Sequence, residues 1–510
     1  MKKSILQSRR PFAALSALAV AACCAMLAGC NVGPKYLPPT MTAPPAFNES
    51  TAQSNEAGVW TVAQPQDAAL RGKWWEIYNE PDLNSLEDEL NIDNQSIRQS
   101  FENFMEARAL VREARSQYFP TVSVGGSYTR SQSSANLSSS TSSGTSGGKQ
   151  TQVFSLPADV SWEPDLWGKV RNAVRASQYT AQLTAADLEN ERLTEQASLT
   201  EYFFEIRGQD ALQKLLNETV EADKKALEAV RAAYDTGVGD QISVVEAQTT
   251  YESAQSAAIN LGIARAQYEH AIALLVGKPA STFSIPVEPK TSAPPPIPVG
   301  LPSQLLERRP DIAAAERNMA AANAQIGVAR AAFYPALTLS ATGGVESEAI
   351  KNLLDWPSRF WSVGPSFSQP IYNAALSAEL HQYVAIYNAD VASYRQTVLT
   401  AFQQVEDYLA ETRILSQQIQ QQRLAVDAAQ TSLNLEMSRY QTGIDPYIDV
   451  VTLQNTLFSN QTTLTSLQIN QMTGAIELVE ALGGGWDTSQ LPTPAQVTAS
   501  PSKADSKLQQ

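Results

Sequence analysis

Two long stretches of the chain place apolar residues at the intervals of packed helices. The first has apolar side chains at Leu216, Val220, Leu227, Val230 and Tyr234. The second has them at Leu415, Ile419, Val426, Leu433, Met437 and Tyr440. Steps of three, four and seven residues are typical of coiled coils. The other faces carry Ala, Gln, Asn, Ser and charged residues, so each stretch is predicted to be an amphipathic helix.

The distribution of proline and glycine indicates how long these helices are and where they reverse. No proline lies between Pro164 and Pro279, or between Pro370 and Pro446. Proline costs about 3 kcal/mol inside a helix, so its absence over such lengths is informative. A helix of ~70 residues is roughly 105 Å long and needs neighbours along its whole length. Gly237 and Gly443 are predicted to reverse the chain, because glycine tolerates the left-handed conformation found after helix ends.

Two segments occur twice, in the same order. Tyr118-Phe119-Pro120 recurs as Phe333-Tyr334-Pro335, each time between a helical pattern and an alternating one. The turn Tyr234-x-Thr236-Gly237 recurs as Tyr440-x-Thr442-Gly443, and each copy is followed at the same offset by Val-Val and Gln. Chance similarity would not preserve both order and offset. The chain is therefore predicted to be a tandem duplication, with helix-to-strand corners at Pro120 and Pro335.

Each half also contains two short segments with the alternation of β-strands. Aromatic residues lie near the strand ends, as in the interfacial girdles of membrane barrels. Four strands cannot close a membrane barrel, for which about eight is the minimum. Either the sheet lies outside a membrane, or several chains share one barrel; three chains would contribute twelve strands.

These patterns divide the chain into six segments. Residues 1–29 are predicted to be a signal that is removed, 30–66 a Pro-rich tether, 284–302 a Pro-rich linker and 487–510 a disordered tail. The first repeat, 67–283, has predicted strands at 121–130 and 153–163 and helices at 166–236 and 241–277. The second repeat, 303–486, has predicted strands at 336–345 and 360–372 and helices at 373–442 and 447–482.

The N-terminus has the layout of a bacterial lipoprotein signal. Four basic residues precede an apolar run that ends in Leu27-Ala28-Gly29-Cys30, where a peptidase would cut and the thiol of Cys30 would accept lipid. The alternative is a single transmembrane anchor, since the run is near the ~20 residues that span a bilayer. Cys23 and Cys24 would be removed, so the mature chain would have no free thiol.

Charge and composition exclude several functions. The net charge of −15 argues against nucleic acid and fits either an acidic lumen or an ordinary soluble surface. The only two histidines, His270 and His381, lie in helical patterns. No pattern typical of a catalytic or metal site is present, so we expect no enzyme activity, no metal and no cofactor other than the covalent lipid.

Four motifs carry a resemblance that covers about residues 30–486. They are Cys30-Asn-Val-Gly-Pro34-Lys-Tyr36, Trp74-Trp75-Glu-Ile-Tyr78-Asn-Glu80-Pro81-Asp-Leu83, Leu305-Leu306-Glu307-Arg308-Arg309-Pro310-Asp311-Ile312, and the duplicated Tyr-x-Thr-Gly turn. The chain resembles the outer membrane factor family (TolC/OprM type), and in particular its lipoprotein branch, the NodT-like outer-membrane channels of resistance-nodulation-division (RND) efflux systems.

The resemblance implies a mainly α-helical fold with a membrane β-barrel. A homotrimer would share a twelve-stranded outer-membrane barrel, four strands per protomer, on a long periplasmic α-helical barrel. Cys30 would carry N-acyl and diacylglyceryl lipid, and Asn31 after it implies sorting to the outer membrane. An inner-membrane RND pump and a periplasmic adaptor would complete a small-molecule efflux system. The alternatives are the exit duct of a type I secretion ABC exporter and a non-conducting structural lipoprotein.

The resemblance also implies a gate at the periplasmic turns. Asp449 falls on a position where the family has an acidic ring, which in a trimer would repel itself and favour cations. Asp445 stands where some relatives have arginine, which puts their arginine-based latch in doubt. Tyr440 and Tyr234 are candidates for hydrogen bonds between helices, and Asp240 is the acidic candidate at the first turn.

Overall fold

The computed structural model describes residues 31–41, 43–49, 72–132, 134, 150–298 and 302–499. The predicted signal, 1–29, and the predicted lipid attachment at Cys30 lie outside the described residues. Among the helices that are described, none combines the length and apolarity needed to cross a membrane.

Four long helices form two hairpins that dominate the chain. Helix α3 (Lys169–Asp235) turns into α4 (Gln241–Leu275), and α7 (Ala374–Gln441) turns into α8 (Tyr447–Ala481). Helices α3 and α7 have 67 and 68 residues, so each is about 100 Å long. All four begin and end within three residues of the predicted positions. The hydrogen bonds of a helix continue along the backbone where no proline interrupts them, so the proline-free stretches indicated the lengths of these helices.

Shorter helices surround the hairpins on either side. In the first half these are α1 (Pro81–Asp93) and α2 (Gln95–Ser116), which follow a 3-10 turn at Trp74–Tyr78. In the second half they are α5 (Pro302–Arg308) and α6 (Pro310–Ala331). Helix α2 packs on α3, and α6 packs between α3 and α7, so the two halves share one helical body.

The sheet is antiparallel and joins the two halves. Its strands are β1 (Thr121–Val124), β2 (Ser127–Gln132), β3 (Gln150–Trp162), β4 (Ala336–Ser347) and β5 (Arg359–Ser368). Strands β1 and β2 both pair with β3, β3 pairs with β4, and β4 pairs with β5. The last strand ends at Ser368 rather than at 372 as predicted.

The first predicted strand, 121–130, is interrupted, which corrects the expectation of one continuous strand. Strands β1 and β2 keep the same register on β3, as Val124 faces Ala158 and Ser127 faces Ser155. Between them Gly125 faces Pro157 and donates its N–H to the Pro157 carbonyl at 2.9 Å. Proline has no N–H with which to complete the ladder, so regular pairing stops there.

Two apolar clusters fix the middle of the helical body. The first surrounds the Trp74-Trp75 turn and contains the fully buried Leu83, Phe203 and Ile272. The second lies under α5 and α6 and contains Ile312, Met319 and Val398. Fully burying one such side chain contributes about 1.5–3 kcal/mol. These clusters hold one end of the long hairpins and leave the other end to be held by its own contacts.

The predicted tail is ordered over part of its length, which corrects the expectation of disorder from residue 487. A short helix, α9 (Pro494–Thr498), has a capping box between Thr493 and Gln496. Its Val497 is fully buried against α2 and α3. One apolar residue gives no periodicity, so the pattern could not predict this contact. Residues 500–510 lie outside the described residues.

The described part of the predicted tether, 31–41 and 43–49, begins at the start of α3, where Asn31 binds Asn172, and then lies against the second half of the body. Tyr36 donates a hydrogen bond to the Glu316 carboxylate at 2.5 Å, and Phe47 is 2% exposed. Glu49 accepts from Arg413 at 2.9 Å. The described part of the tether is therefore bound to α6 and α7 rather than free.

Candidate functional site

The two periplasmic-type turns, which the sequence predicted as the gate, have nearly the same local geometry. Gly237 and Gly443 adopt φ of 77° and 73°, in the left-handed region. Each donates its N–H to the backbone carbonyl of the tyrosine three residues earlier, Tyr234 or Tyr440, at 2.9 Å. Glycine occupies this region without the clash that a Cβ would cause, so both helices end at the predicted position.

Asp240 closes the first turn as the N-cap of α4. Its carboxylate accepts a hydrogen bond from the Ser243 backbone N–H at 2.7 Å. That hydrogen bond holds the pKa of Asp240 below its ordinary value. Tyr234 lies just before the turn, and its side chain is 44% exposed. Asp240 is therefore a capping residue. Burial raises the pKa of Tyr440 on the other hairpin, and the charge of Asp240 raises it further.

The second turn contains an ion pair that the sequence analysis missed. Arg439, four residues before Gly443, donates from Nη2 to Asp445 at 3.0 Å and also contacts it through Nε. The guanidinium lowers the pKa of Asp445. This arginine lies before the glycine, whereas the position after the glycine at which an arginine was expected is occupied by Asp445. The charge complementarity of Arg439 and Asp445 across a helix end was the available signal.

Asp449 lies in the first turn of α8 and is exposed. Its charge acts on Arg439 and on Glu436, whose pKa is raised by burial, by a hydrogen bond with Asp445 and by nearby acidic groups. The turn therefore brings three acidic residues and one arginine together. Asp449 remains available to face another copy of the chain, while Asp445 is bound within its own turn.

The two hairpins contact each other just above these turns through an apolar cluster. Val450 and Val451, at the start of α8, pack on Leu227 and Val230 of α3. Tyr447 is 3% exposed and its ring lies 5.3 Å from that of Tyr440. Burial raises the pKa of Tyr447 to about 12, with the nearby Asp223 contributing. Tyr440 is therefore placed between the two hairpins.

Asp223 is a second residue at this contact that the sequence analysis did not identify. It lies on α3 and is 4% exposed. Burial raises the pKa of its carboxyl from 3.8 to about 6. In the heptad pattern Asp223 occupies an ordinary polar position. The pattern therefore does not indicate that the residue is buried in the structure.

We expect Asp223→Asn to stabilise the protein only at higher pH. The folded state favours the protonated carboxyl, so this contribution is complete below pH 3.8 and is lost as the pH rises through about 6. The amide is neutral throughout, so the variant should gain ~1–3 kcal/mol above pH 7 and almost nothing near pH 4. Thermal unfolding of the purified protein at both pH values measures the difference. Exposed Asp235→Asn is the control, and equal gains at both pH values would contradict the burial argument.

Tryptophan side chains hold both helix-to-strand corners. The Trp162 indole donates to the Tyr118 carbonyl, two residues before Pro120, at 3.1 Å. The Trp167 indole donates to the Pro335 carbonyl at 2.7 Å and stacks on Tyr334 at 5.0 Å. The sheet beyond these corners exposes large apolar side chains in the single chain, among them Val122, Val124, Trp361, Val363 and Phe367.

The described residues contain no three His, Cys, Asp or Glu side chains arranged to hold a metal ion. The expectation of no cofactor beyond a lipid stays a prediction. The features that stand out are the long paired helices, the duplicated turns and the exposed apolar sheet. They are surfaces for contact with other molecules rather than a pocket for a reaction.

Comparison with protein families decides what kind of protein this is. The family model described as "Outer membrane efflux protein" matches residues 86–278 and 301–484. The chain belongs to this family. It is therefore a non-enzymatic outer-membrane channel protein of a Gram-negative cell with a large periplasmic part, and the predicted family, location and absence of enzyme activity are confirmed.

Individual relatives agree over almost their whole length. The "Probable efflux pump outer membrane protein TtgC" of Pseudomonas putida is 33% identical over 476 residues, which cover 92% of this chain and 96% of that protein. "Outer membrane protein OprJ" of Pseudomonas aeruginosa is 28% identical over 484 residues, covering 94% and 97%. Both relatives are outer-membrane proteins, and TtgC is named as part of an efflux pump.

Solved structures give the same fold. The outer-membrane channel OprN matches with a TM-score of 0.80 at 25% identity and covers 90% of this chain and 100% of that chain. The CmeC outer-membrane channel of Campylobacter jejuni also has a TM-score of 0.80, at 20% identity, with coverage of 94% and 99%. The second likeness shows the fold alone. The mainly helical architecture predicted from the sequence is confirmed at this level.

Proposed function

We propose that the chain is the exit duct of a tripartite efflux system, through which small molecules pass passively from an inner-membrane pump to the exterior. One observation carries the proposal, namely agreement with TtgC over 92% of this chain and 96% of that protein. A match over nearly the whole of both chains supports a role like the one that the relative's name gives. An RND pump and a periplasmic adaptor are the proposed partners.

The proposed assembly is a homotrimer with a shared β-barrel. Each chain contributes the equivalent of four strands. Although five strands are present, β1 and β2 continue one another along β3 in a single register. The outer edges of β1, β2 and β5 have no strand beside them within the described residues. Unpaired edges that carry exposed apolar side chains favour pairing with another copy. Three copies would give twelve strands, enough to close a barrel in a membrane.

The proposed cargo is a set of small, largely apolar organic molecules. Two similar relatives are named "Antibiotic efflux pump outer membrane protein ArpC" and "Toluene efflux pump outer membrane protein TtgC", both from Pseudomonas putida and 33% identical to this chain. A passive duct contacts its cargo loosely, so the pump would select the cargo. We also propose that Cys30 carries N-acyl and diacylglyceryl lipid.

Deletion of the gene in its native cells tests the function. We expect greater susceptibility to toluene and to antibiotics, restored by the wild-type gene, and recovery of an RND pump and adaptor after crosslinking. Loss of protein secretion, with recovery of an ABC exporter, would replace the proposal by a secretion duct. Unchanged susceptibility without a trimer would favour a structural lipoprotein.

The proposed gate is the second turn, closed by the Arg439–Asp445 ion pair and lined by Asp449. We expect Arg439→Ala to raise the conductance of the purified protein in planar bilayers, because Asp445 then has no arginine to hold it. Arg423→Ala is the control, since Arg423 is exposed on the same helix α7 far from the turn. Equal conductance of both variants would exclude the ion pair as part of the gate.

Asp449→Asn tests the acidic ring separately. The amide keeps the size of the carboxylate but removes the charge that three copies would direct at one axis. We expect cation selectivity, measured as the reversal potential in a salt gradient, to fall towards zero. Asp427→Asn, at an exposed position on α7, should leave it unchanged. Unaltered selectivity in Asp449→Asn would remove this residue from the gate.

A further inference from the structure

The side chain of Asn31, the first described residue, lies in a polar pocket that is open to solvent, since Asn31 itself is exposed. Its Oδ1 accepts a hydrogen bond from Asn172 Nδ2 at 2.8 Å and another from the Gly33 backbone N–H at 3.1 Å. The next residue, Val32, donates its N–H to the Trp167 carbonyl at 3.3 Å. Asn172 belongs to the first turn of α3 and is only 3% exposed. A buried amide thus donates to the side chain next to Cys30.

Three glycines leave the space for this pair of amides. A Cβ at Gly327 of α6 would lie 2.6 Å from Asn172 Nδ2, and a Cβ at Gly33 would lie 2.8 Å from the same atom. A Cβ at Gly168, where α3 begins, would lie 2.7 Å from Asn31 Oδ1. Real Cβ atoms do not approach so closely, so any side chain at these positions would displace the amides. The pocket is therefore built from three separate segments of the chain.

The pocket lies where the helices meet the sheet. Trp167, whose carbonyl binds Val32, also donates to Pro335 and stacks on Tyr334 at the second corner. Cys30 is one residue from Asn31, so its Cα is about 3.8 Å from that of Asn31. A group carried by Cys30 must therefore start beside the base of the strands.

We propose that Asn31 and Asn172 form a latch that fixes the height at which a lipid on residue 30 enters the membrane relative to the sheet. The inference rests on the proposed acylation of Cys30. With the latch closed, about one residue of chain separates the lipid from the body. With the latch open, the next side-chain hydrogen bond is that of Asn323 Nδ2 with the Pro34 carbonyl at 3.4 Å. Four residues of slack would then allow the lipid to move by roughly 13 Å.

The latch matters only when residue 30 carries a lipid. The experiment therefore compares latch variants with and without the lipid. Gly327→Ala and Asn172→Asp each break it, the first by overlap and the second by replacing the Nδ2 donor with an oxygen. Gly262→Ala is the matched control, because nothing lies within 4 Å of a Cβ there. Each variant is expressed with the native signal and also as Cys30→Ala behind a cleavable signal that has no lipobox. The fraction of trimer in the outer membrane is measured for all of them.

We expect the latch variants to lower that fraction several-fold when Cys30 is present and not to lower it further when Cys30 is absent. An equal decrease in both backgrounds would mean that the contact only stabilises the fold, and it would overturn the proposal. No decrease in the lipidated background would overturn it as well. The mass of the N-terminal peptide separates the two hypotheses: absence of acyl groups refutes the lipid proposal itself, whereas acylation with equal decreases refutes only the latch.

A spin label gives a second readout that does not depend on yield. The chain has three cysteines, of which two lie in the predicted signal and the third is Cys30, so Val32→Cys would supply the only free thiol of the acylated mature protein. Val32 is partly exposed and lies between Asn31 and Pro34, the next residue that a side chain holds. A nitroxide there should become more mobile in Asn172→Asp and stay unchanged in Gly262→Ala. Unchanged mobility in Asn172→Asp would show that the latch does not hold the segment.

Discussion

Gly483→Ala is expected to destabilise the protein strongly, whereas Gly443→Ala should cost little. Both glycines have positive φ, 89° and 73°. A Cβ at Gly483 would lie 2.1 Å from the Arg308 carbonyl oxygen, whereas nothing lies within 4 Å of a Cβ at Gly443. The two variants share a left-handed strain of ~1–2 kcal/mol, and only Gly483→Ala adds a backbone overlap. We expect about 3–5 kcal/mol in total for it.

The position of Gly483 explains why relaxation is difficult. It ends α8 by donating to the Glu480 carbonyl at 2.8 Å, while Arg309 donates to the Ala481 carbonyl at 3.0 Å. The end of the second repeat is thus held against the beginning of the same repeat. Thermal unfolding of both purified variants gives the comparison. Equal shifts in Tm would mean that the Arg308 backbone moves away easily, contrary to this argument.

The helical part of the fold was predictable because its signals are local. The absence of proline from Pro164 to Pro279 and the spacing of apolar residues describe single helices without reference to the rest of the chain. The duplicated glycines, Gly237 and Gly443, located the turns in the same way. The interruption between β1 and β2 was not predicted, although Pro157 in the opposite strand, which lacks the N–H of the ladder, was a local signal for it.

The contacts between distant segments were not predictable. Asp223 is buried, and its charge acts on Tyr447, which lies more than 200 residues later in the chain. Asn31 is hydrogen-bonded to Asn172, which is 141 residues away in the sequence. Polar residues of this kind have no periodicity that distinguishes a buried partner from a solvated one. The trimer, the closed barrel and the gate depend on contacts between copies, and they stay predictions.

The Pro-rich linker was predicted only in part. Composition indicated that a linker is present, but not which residues of the helices bind it. In the structure its backbone is bound by charged side chains: Arg207 donates to the Pro286 carbonyl at 2.8 Å, and Arg265 donates to the Ile285 carbonyl at 2.8 Å. Composition could not reveal this because the partners lie in helices α3 and α4.

Asp210→Ala is expected to release this linker and to cost about 3–5 kcal/mol, the usual result of removing one member of a buried ion pair. Asp210 is 1% exposed and accepts from Arg265 at 2.7 Å and from the Glu288 backbone N–H at 2.8 Å. Its loss would leave a largely buried guanidinium with Glu269 as its remaining carboxylate and a backbone donor without its acceptor.

Asp82→Ala is the matched control, because it removes a carboxylate from the same region at a different depth. Asp82 pairs with Arg207 at 3.2 Å, but its side chain is 61% exposed, and Arg207 keeps Glu288 at 3.1 Å. Because the Asp82 carboxylate is exposed and buried Arg207 keeps a second carboxylate, we expect the loss of Asp82 to cost no more than about 1 kcal/mol. We therefore expect proteolysis within 284–298 and a large decrease in Tm for Asp210→Ala only. If both variants lost the same stability, burial would not be what makes Asp210 important, and the linker would be held mainly by its exposed charges.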